Sequence, residues 1–249
     1  MSMLSAKNKP LCLSLLKLLI IMGLTTSVSL LSFGESAKTE KIKWLVKPQF
    51  ESVGDFSEGL ALFEKSDRSG YIDKKGKIVI EGSYIFADDM NEGIARAIDG
   101  DKWVLINSKG ERIKELTVSW VENFSEGLAA ININGSYSDG KLQGGTWGYI
   151  STDGNIIIDP LYEYAGPFSE GMAVVKKDKK LFIIDREQKI KKEIKYDEIF
   201  NFKEGMARFK KDGKFGFINK DFKEVIPPQY DRASDFCEGV ARAIKNKKW

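Results

Sequence analysis

Histidine is absent from the 249 residues. That removes the imidazole base and the imidazole metal ligand from consideration. Serine and aspartate are plentiful, but no second motif stands beside them to make a nucleophile–base pair. The chain is therefore expected to be non-enzymatic, with no cofactor and no catalytic or metal-binding residues. Cysteine occurs only twice, at Cys12 and Cys237, too few for a disulfide framework. No apolar run reaches the ~20 residues of a membrane span. The one hydrophobic stretch, from Leu18, is diluted by Thr25, Thr26, Ser27 and Ser29.

That stretch reads as part of a secretory signal over residues 1–34. Lys7, Lys9 and Lys17 give a basic start, and Ser32-Phe33-Gly34 places small residues before a cleavage point. An uncleaved anchor is the alternative. Cys12 precedes the apolar core, unlike the lipid-modified cysteine of a lipoprotein. Without this leader, 36 of the 39 basic residues remain against 36 acidic ones. The balance is then neutral and gives no reason to expect nucleic acid. No membrane span remains after cleavage, and the location expected is periplasm, cell surface or medium. Only Cys237 then stands in the exported chain. It sits where other copies of the repeat below have Ser57, Asn91, Ser125, Ser169 and Lys203, so it is expected to be an exposed replacement of serine.

What is present is repetition. Phe56-Ser57-Glu58-Gly59-Leu60-Ala61 returns as MNEGIA from Met90, FSEGLA from Phe124, FSEGMA from Phe168, FKEGMA from Phe202 and FCEGVA from Phe236, at spacings of 34, 34, 44, 34 and 34 residues. Gly59, Gly93, Gly127, Gly171, Gly205 and Gly239 imply a backbone angle or a close approach that only glycine accepts. A strand follows with alternation. Ala61 and Phe63 share one face, whereas Leu62, Arg96, Ala130, Val174, Arg208 and Arg242 fit a wetter one. A charged loop leads to a second strand, such as Gly70-Tyr71-Ile72 or Trp147-Gly148-Tyr149-Ile150. Glycine beside a large aromatic predicts a ring over bare backbone. An Asp/Asn-x-x-Gly turn (Asp73–Gly76, Asn107–Gly110) predicts a tight hairpin. A third strand ends at Pro160-Leu161-Tyr162 or Pro228-Gln229-Tyr230, where proline blocks further pairing.

These motifs together resemble the bacterial WG repeat, also called the KWG repeat, over about residues 42–249. The Trp-Gly pair itself departs from the pattern as Ser69-Gly70, Trp103-Val104, Leu181-Phe182 and Phe215-Gly216. The resemblance implies a repeat scaffold in bacterial proteins, often exported. It supplies no agreed activity and no catalytic residues.

The organisation expected is a signal peptide (1–34), a linker (35–41) and a six-copy array (42–249) whose last copy is incomplete and loosely held after about Ala233. The fold class is all-β, a tandem array of short antiparallel meanders that must stack to bury a core. An open solenoid is preferred, because propeller blades usually need ~40 residues or more; a propeller-like ring is the alternative. The function expected is an exported scaffold that binds a protein partner through its extended surface. The long spacing reads as a ten-residue loop excursion between Ile131 and Trp147, with Asn134, Tyr137, Asp139 and Lys141 as candidate partner contacts. A second possibility is an anionic envelope glycan or lipid held by the basic loops, with Lys176, Lys177, Lys179, Lys180, Lys210, Lys211 and Lys214 as contacts. The six repeated glutamates are expected to accept backbone N–H bonds in their own or a neighbouring turn rather than to bind cations.

Overall fold

A computed structural model describes residues 48–248. The leader, the linker and the Trp44–Lys47 start of the array lie outside the described residues. Everything described is strand, turn or loop.

Five four-stranded antiparallel sheets follow one another, each a meander in chain order. Sheet 1 is β1 (Ser52–Ser57), β2 (Leu60–Lys65), β3 (Arg68–Asp73) and β4 (Ile78–Tyr84). Sheet 2 is β5 (Phe86–Ala87), β6 (Ile94–Asp99), β7 (Lys102–Asn107) and β8 (Arg112–Leu116). Sheet 3 is β9 (Trp120–Val121), β10 (Leu128–Ser138), β11 (Lys141–Ser151) and β12 (Ile156–Tyr162). Sheet 4 is β13 (Tyr164–Ala165), β14 (Met172–Lys177), β15 (Lys180–Asp185) and β16 (Ile190–Ile194). Sheet 5 is β17 (Glu198–Lys203), β18 (Met206–Lys211), β19 (Lys214–Asn219) and β20 (Glu224–Tyr230). A sixth sheet has two short strands, β21 (Arg232–Ala233) and β22 (Ala243–Ile244). Among the described residues no sheet joins a strand of the first units to one of the last, so no strand pairing closes the array there.

Each unit therefore has one strand more than the sequence pattern shows. The extra strand precedes the Glu-Gly turn and contributes the small residue before it: Ala87, Val121 and Ala165 are buried. The Glu-Gly turn is a two-residue hairpin, with Ser57 paired to Leu60 across Glu58 and Gly59. Both turn residues have positive φ, 51° and 88°, the type I′ geometry that matches strand twist. A Cβ on Gly59 would meet nothing within 4 Å. The backbone angle, not crowding, demands glycine there.

Stacking makes the core. The turn aromatic of each unit meets the unit before it: the rings of Tyr149 and Phe168 lie edge to face at 4.9 Å, and those of Phe217 and Phe236 at 5.0 Å. Phe168 and Phe202 are fully buried in this way, each worth about 1.5–3 kcal/mol by transfer from water. Phe56, with no described sheet before it, is 49% exposed. Stacking also corrects the expected wet face. Arg96, Ala130 and Val174 are buried, because both faces of an internal sheet meet neighbours.

Two sheet types alternate. In sheets 1, 3 and 5 the third strand carries Gly70, Gly148 or Gly216, and the outer strand bulges over it. Trp147 pairs with Tyr162 but Tyr149 with Ile158, so two residues of β11 oppose four of β12. A Cβ on Gly148 would lie 2.4 Å from the Ile158 carbonyl oxygen. On Gly70 and Gly216 it would meet the rings of Phe63 and Phe209 at 2.6 and 2.7 Å, the expected ring over bare backbone. Pro160, Pro227 and Pro228 lie inside β12 and β20. Proline thus does not end the strand; it occupies the bulge of an outer strand, where no ladder donor is needed. Sheets 2 and 4 have Val104 and Phe182 instead and pair straight, residue for residue, from Trp103↔Leu116 to Leu105↔Lys114. One residue follows a bulged sheet and three follow a straight one, so both types keep the same length.

Candidate functional site

The repeated glutamates are occupied by the fold itself. The Glu92 carboxylate accepts the N–H groups of Glu126 and Gly127, both at 2.7 Å. Glu126 accepts those of Glu170 and Gly171, and Glu204 those of Glu238 and Gly239. Glu58 accepts the Gly93 N–H, and Glu170 the Gly205 N–H. Burial would raise the Glu170 carboxyl, but the Lys220 ammonium and the Gly205 N–H outweigh it and hold it below the usual value. Each glutamate has φ between 51° and 56°, a left-handed conformation costing an L-residue about 1–2 kcal/mol. Charge-assisted bonds contribute about 1.5–3 kcal/mol each, so a pair of them offsets the strain. The residue before the glutamate adds a second rail. The Ser125 Oγ donates to the Phe168 carbonyl at 2.8 Å, and the Ser169 Oγ to that of Phe202 at 2.6 Å. Where serine stands, this position is a joint between units, whereas Asn91 and Lys203 are exposed; the last occupant, Cys237, is half-buried and carries no free thiol.

The basic loops are largely neutralised from within their own sheets. Lys176 pairs with Glu163 at 3.9 Å, Lys180 with Glu193 at 3.4 Å, Lys210 with Glu198 at 3.0 Å and Lys214 with Asp231 at 2.5 Å. Such exposed pairs add little stability, but they cancel charge that an anionic ligand would need. Lys177, Lys179 and Lys211 lie exposed at the hairpin ends.

The ten extra residues are not a loop. They lengthen β10 and β11 to 11 residues each, paired through Gly135↔Gly144, Ser136↔Gln143, Tyr137↔Leu142 and Ser138↔Lys141. Asp139 and Gly140 turn the tip with φ of 50° and 74°. Asn134, at φ 63°, lies where the pairing skips. The four expected contact residues, Asn134, Tyr137, Asp139 and Lys141, are thus held on one projecting hairpin, all exposed.

Beneath the hairpin runs an aromatic row. Phe86 meets Trp103 edge to face at 5.9 Å, Trp103 meets Trp120 at 5.4 Å, and Trp120 stacks on Tyr137 at 5.8 Å with 8° between the planes. Arg96 lies 5.5 Å from the Trp103 ring and 5.6 Å from that of Trp120. It is fixed by Asp88 and by the Val121 carbonyl. The Trp120 indole N–H donates to Glu122 at 2.9 Å. Tyr137 ends the row with more than half its surface exposed. Asn132 is fully buried at the hairpin base; its Nδ2 donates to the Gly144 carbonyl at 3.2 Å, while its Oδ1 finds no donor. The row was not legible in the sequence: Phe86 and Trp120 share one repeat position, 34 residues apart, but Trp103 and Tyr137 stand at two others. Arg96 gave no signal of it either, since Arg208 and Arg242 stand at the same strand position.

A cavity of about 330 Å³ lies at the sixth sheet, lined by Arg208, Arg232, Ala233, Ser234 and Arg242. Arg208 is spoken for: it donates to the Ala233 carbonyl and pairs with Asp235 at 3.2 Å.

The family model described as "WG containing repeat" matches six times, over residues 41–68, 70–103, 105–137, 147–180, 182–215 and 215–249. No curated protein matches the chain. Among solved structures, similarity extends to Kluyveromyces lactis Hsv2 (8% identity, TM-score 0.45, 70% of this chain and 62% of that one). A eukaryotic initiation factor is also similar (9%, 0.48, 74% and 57%), as is a Bacteroides caccae protein of unknown function (14%, 0.33, 72% and 80%). The chain spans less than two thirds of the first two.

Proposed function

The chain belongs to the WG-repeat family, and from that premise we propose that it is an exported, non-enzymatic scaffold that binds a protein partner through the β10–β11 hairpin. The observation that carries this reading is Tyr137, held in stacked register on Trp120 yet largely exposed. A rigid aromatic with one free face suits a protein anchor, since little side-chain entropy remains to be lost on binding. The neighbouring Asn134, Asp139 and Lys141 provide polar contacts of both signs, as the rim of a protein interface does. The paired lysines weigh against the anionic glycan or lipid. Export rests on the leader composition alone.

Crosslinking capture from envelope fractions, with the intact chain and with Tyr137→Ala, tests the reading. A specific protein captured by the intact chain and reduced at least tenfold by Tyr137→Ala supports it. Capture unchanged by Tyr137→Ala and by trimming the hairpin to repeat length removes the hairpin as the contact. Capture of polyanion alone, lost with added salt, transfers the role to the lysines.

A further inference from the structure

Twice the fold lays an arginine against a row of rings and holds it with an aspartate. Arg96 lies 5.5 Å from the Trp103 ring and 5.6 Å from that of Trp120, and it pairs with Asp88. Arg208 lies 3.9 Å from the Phe200 ring and 5.4 Å from that of Phe215, and it pairs with Asp235 at 3.2 Å. A guanidinium suits such a place because it is planar, weakly hydrated and attracted to the negative face of a ring. The row of Phe86, Trp103, Trp120 and Tyr137 ends in a third place of this kind, and that one is open. Trp120 covers one face of Tyr137 at 5.8 Å, and 56% of Tyr137 remains exposed. The Tyr137 hydroxyl donates to the Gly140 carbonyl at 3.1 Å, which fixes the ring beside the Asp139–Gly140 turn. Asp139 is exposed and, among the described residues, forms no ion pair. Glu122 accepts the Trp120 indole N–H and, among the described residues, forms no ion pair either. Lys141 pairs across the hairpin with Ser138, whereas Tyr137 pairs with Leu142, so Lys141 belongs to the opposite face. Asp88 already cancels Arg96. The row and its terminal turn are thus left with two carboxylates uncancelled.

Resting on the reading of this hairpin as a protein contact, we propose that the group it receives is an arginine side chain of the partner. The guanidinium stacks on the open face of Tyr137, and its N–H groups donate to the Asp139 carboxylate. The occupant is argued from charge complementarity and from the two internal arginines, which show what this fold places on an aromatic row beside an aspartate. Arginine fits better than lysine, because a planar fork can stack on a ring and donate to a carboxylate at once. The aromatic row holds Tyr137 in place beforehand, so the partner's arginine meets a preformed seat.

Selection of a random-peptide library on the immobilised full chain tests this. The expected result is a set of enriched peptides that share an arginine. In a titration with the best of them, changing that arginine to methionine should weaken binding roughly tenfold or more. Tyr137→Leu keeps the apolar bulk but removes the ring face, and should weaken binding about as much. Asp139→Asn should weaken it roughly twofold to fivefold, as loss of an exposed ion pair does, and should reduce its salt dependence. Glu187→Gln, an exposed change elsewhere, should leave it intact. Tyr137 and Asp139 are exposed on the projecting hairpin, so both variants should fold; circular dichroism confirms it. Enriched peptides without arginine, or no enrichment, overturn the arginine seat. So does a peptide that binds Tyr137→Leu as tightly as the intact chain. The hairpin contact itself stands or falls separately, with Tyr137→Ala in the envelope capture.

Discussion

The carboxylate of Glu126 accepts the N–H of Gly171 at 2.9 Å, although 45 residues separate them. Each partner pays a conformational cost for its own turn and is repaid by the neighbouring unit. A change at either residue therefore acts on two sheets.

Gly127→Val should lower the melting temperature more than Glu126→Gln. Gly127 has φ 76° with only Arg186 near, so the penalty is backbone strain, about 1–3 kcal/mol for a β-branched residue. Glutamine keeps an oxygen acceptor for one of the two N–H groups and should cost about 1 kcal/mol. Equal losses in thermal denaturation would show that the turn is not governed by φ.

Gly148→Ala should destabilise by roughly 1–3 kcal/mol through overpacking. Its methyl group would lie 2.4 Å from a backbone oxygen that no rotamer change can move. Gly54, whose φ is not positive and whose Cβ would meet nothing nearer than 3.5 Å, should cost less on the same change. Urea unfolding of the two variants decides between crowding and a general loss on replacing glycine.

Arg96→Ala should cost about 3–5 kcal/mol, because Asp88 and the Val121 carbonyl lose a buried partner. Arg96→Met keeps an apolar stem between Trp103 and Trp120 and should cost less. Both should shift tryptophan fluorescence, since two indoles lie against the guanidinium. An unchanged spectrum in a folded Arg96→Ala protein would count against the aromatic row.

Stability should fall at both extremes of pH. Glu170 is depressed in the fold, so its contribution is present above the unfolded value of about 4.3 and fades as pH falls through the folded one. Tyr149 is raised, chiefly by burial and then by Tyr164 and Tyr162. Its contribution is complete below about pH 10 and is lost on going higher. Glu170→Gln should flatten the acid limb of a melting-temperature profile, and Tyr149→Phe the alkaline limb. Tyr149→Phe also loses the hydroxyl bond to the Gly166 carbonyl, worth about 1 kcal/mol.

The strands around the Glu-Gly phrase were legible because their alternation is local. So was a ring over Gly70 and Gly216, although it comes from Phe63 and Phe209 on the paired strand rather than from the aromatic next to the glycine. The first strand of each unit was not. In sheets 2, 3 and 4 it is two residues long, too short to show a period. The hairpin hid behind composition: Asn134, Gly135, Gly144 and Gly145 read as loop, yet their neighbours pair with one another. Partners 34 or more residues apart, such as Glu92 and Glu126, leave only a repeated letter in the sequence, with no indication of which turn each one grips. The candidate site was only partly legible: its four residues are close in sequence and share one hairpin, but Trp120 beneath Tyr137 comes from another part of the sheet.

The alternation of bulged and straight sheets gives the array a grammar of couplets. Sheets 1, 3 and 5 carry glycine and an added bulge opposite it; sheets 2 and 4 carry Val104 or Phe182 and pair straight there, keeping only the shift before Ile106 and Ile184 that every sheet has near this turn. A sequence that repeats once per unit therefore builds a structure that repeats once per two. Gain or loss of a single unit inverts the parity of everything downstream and sets like sheet against like. Gain or loss in twos preserves it. Anyone extending the array should therefore splice couplets, with their one-residue and three-residue connectors, rather than single repeats.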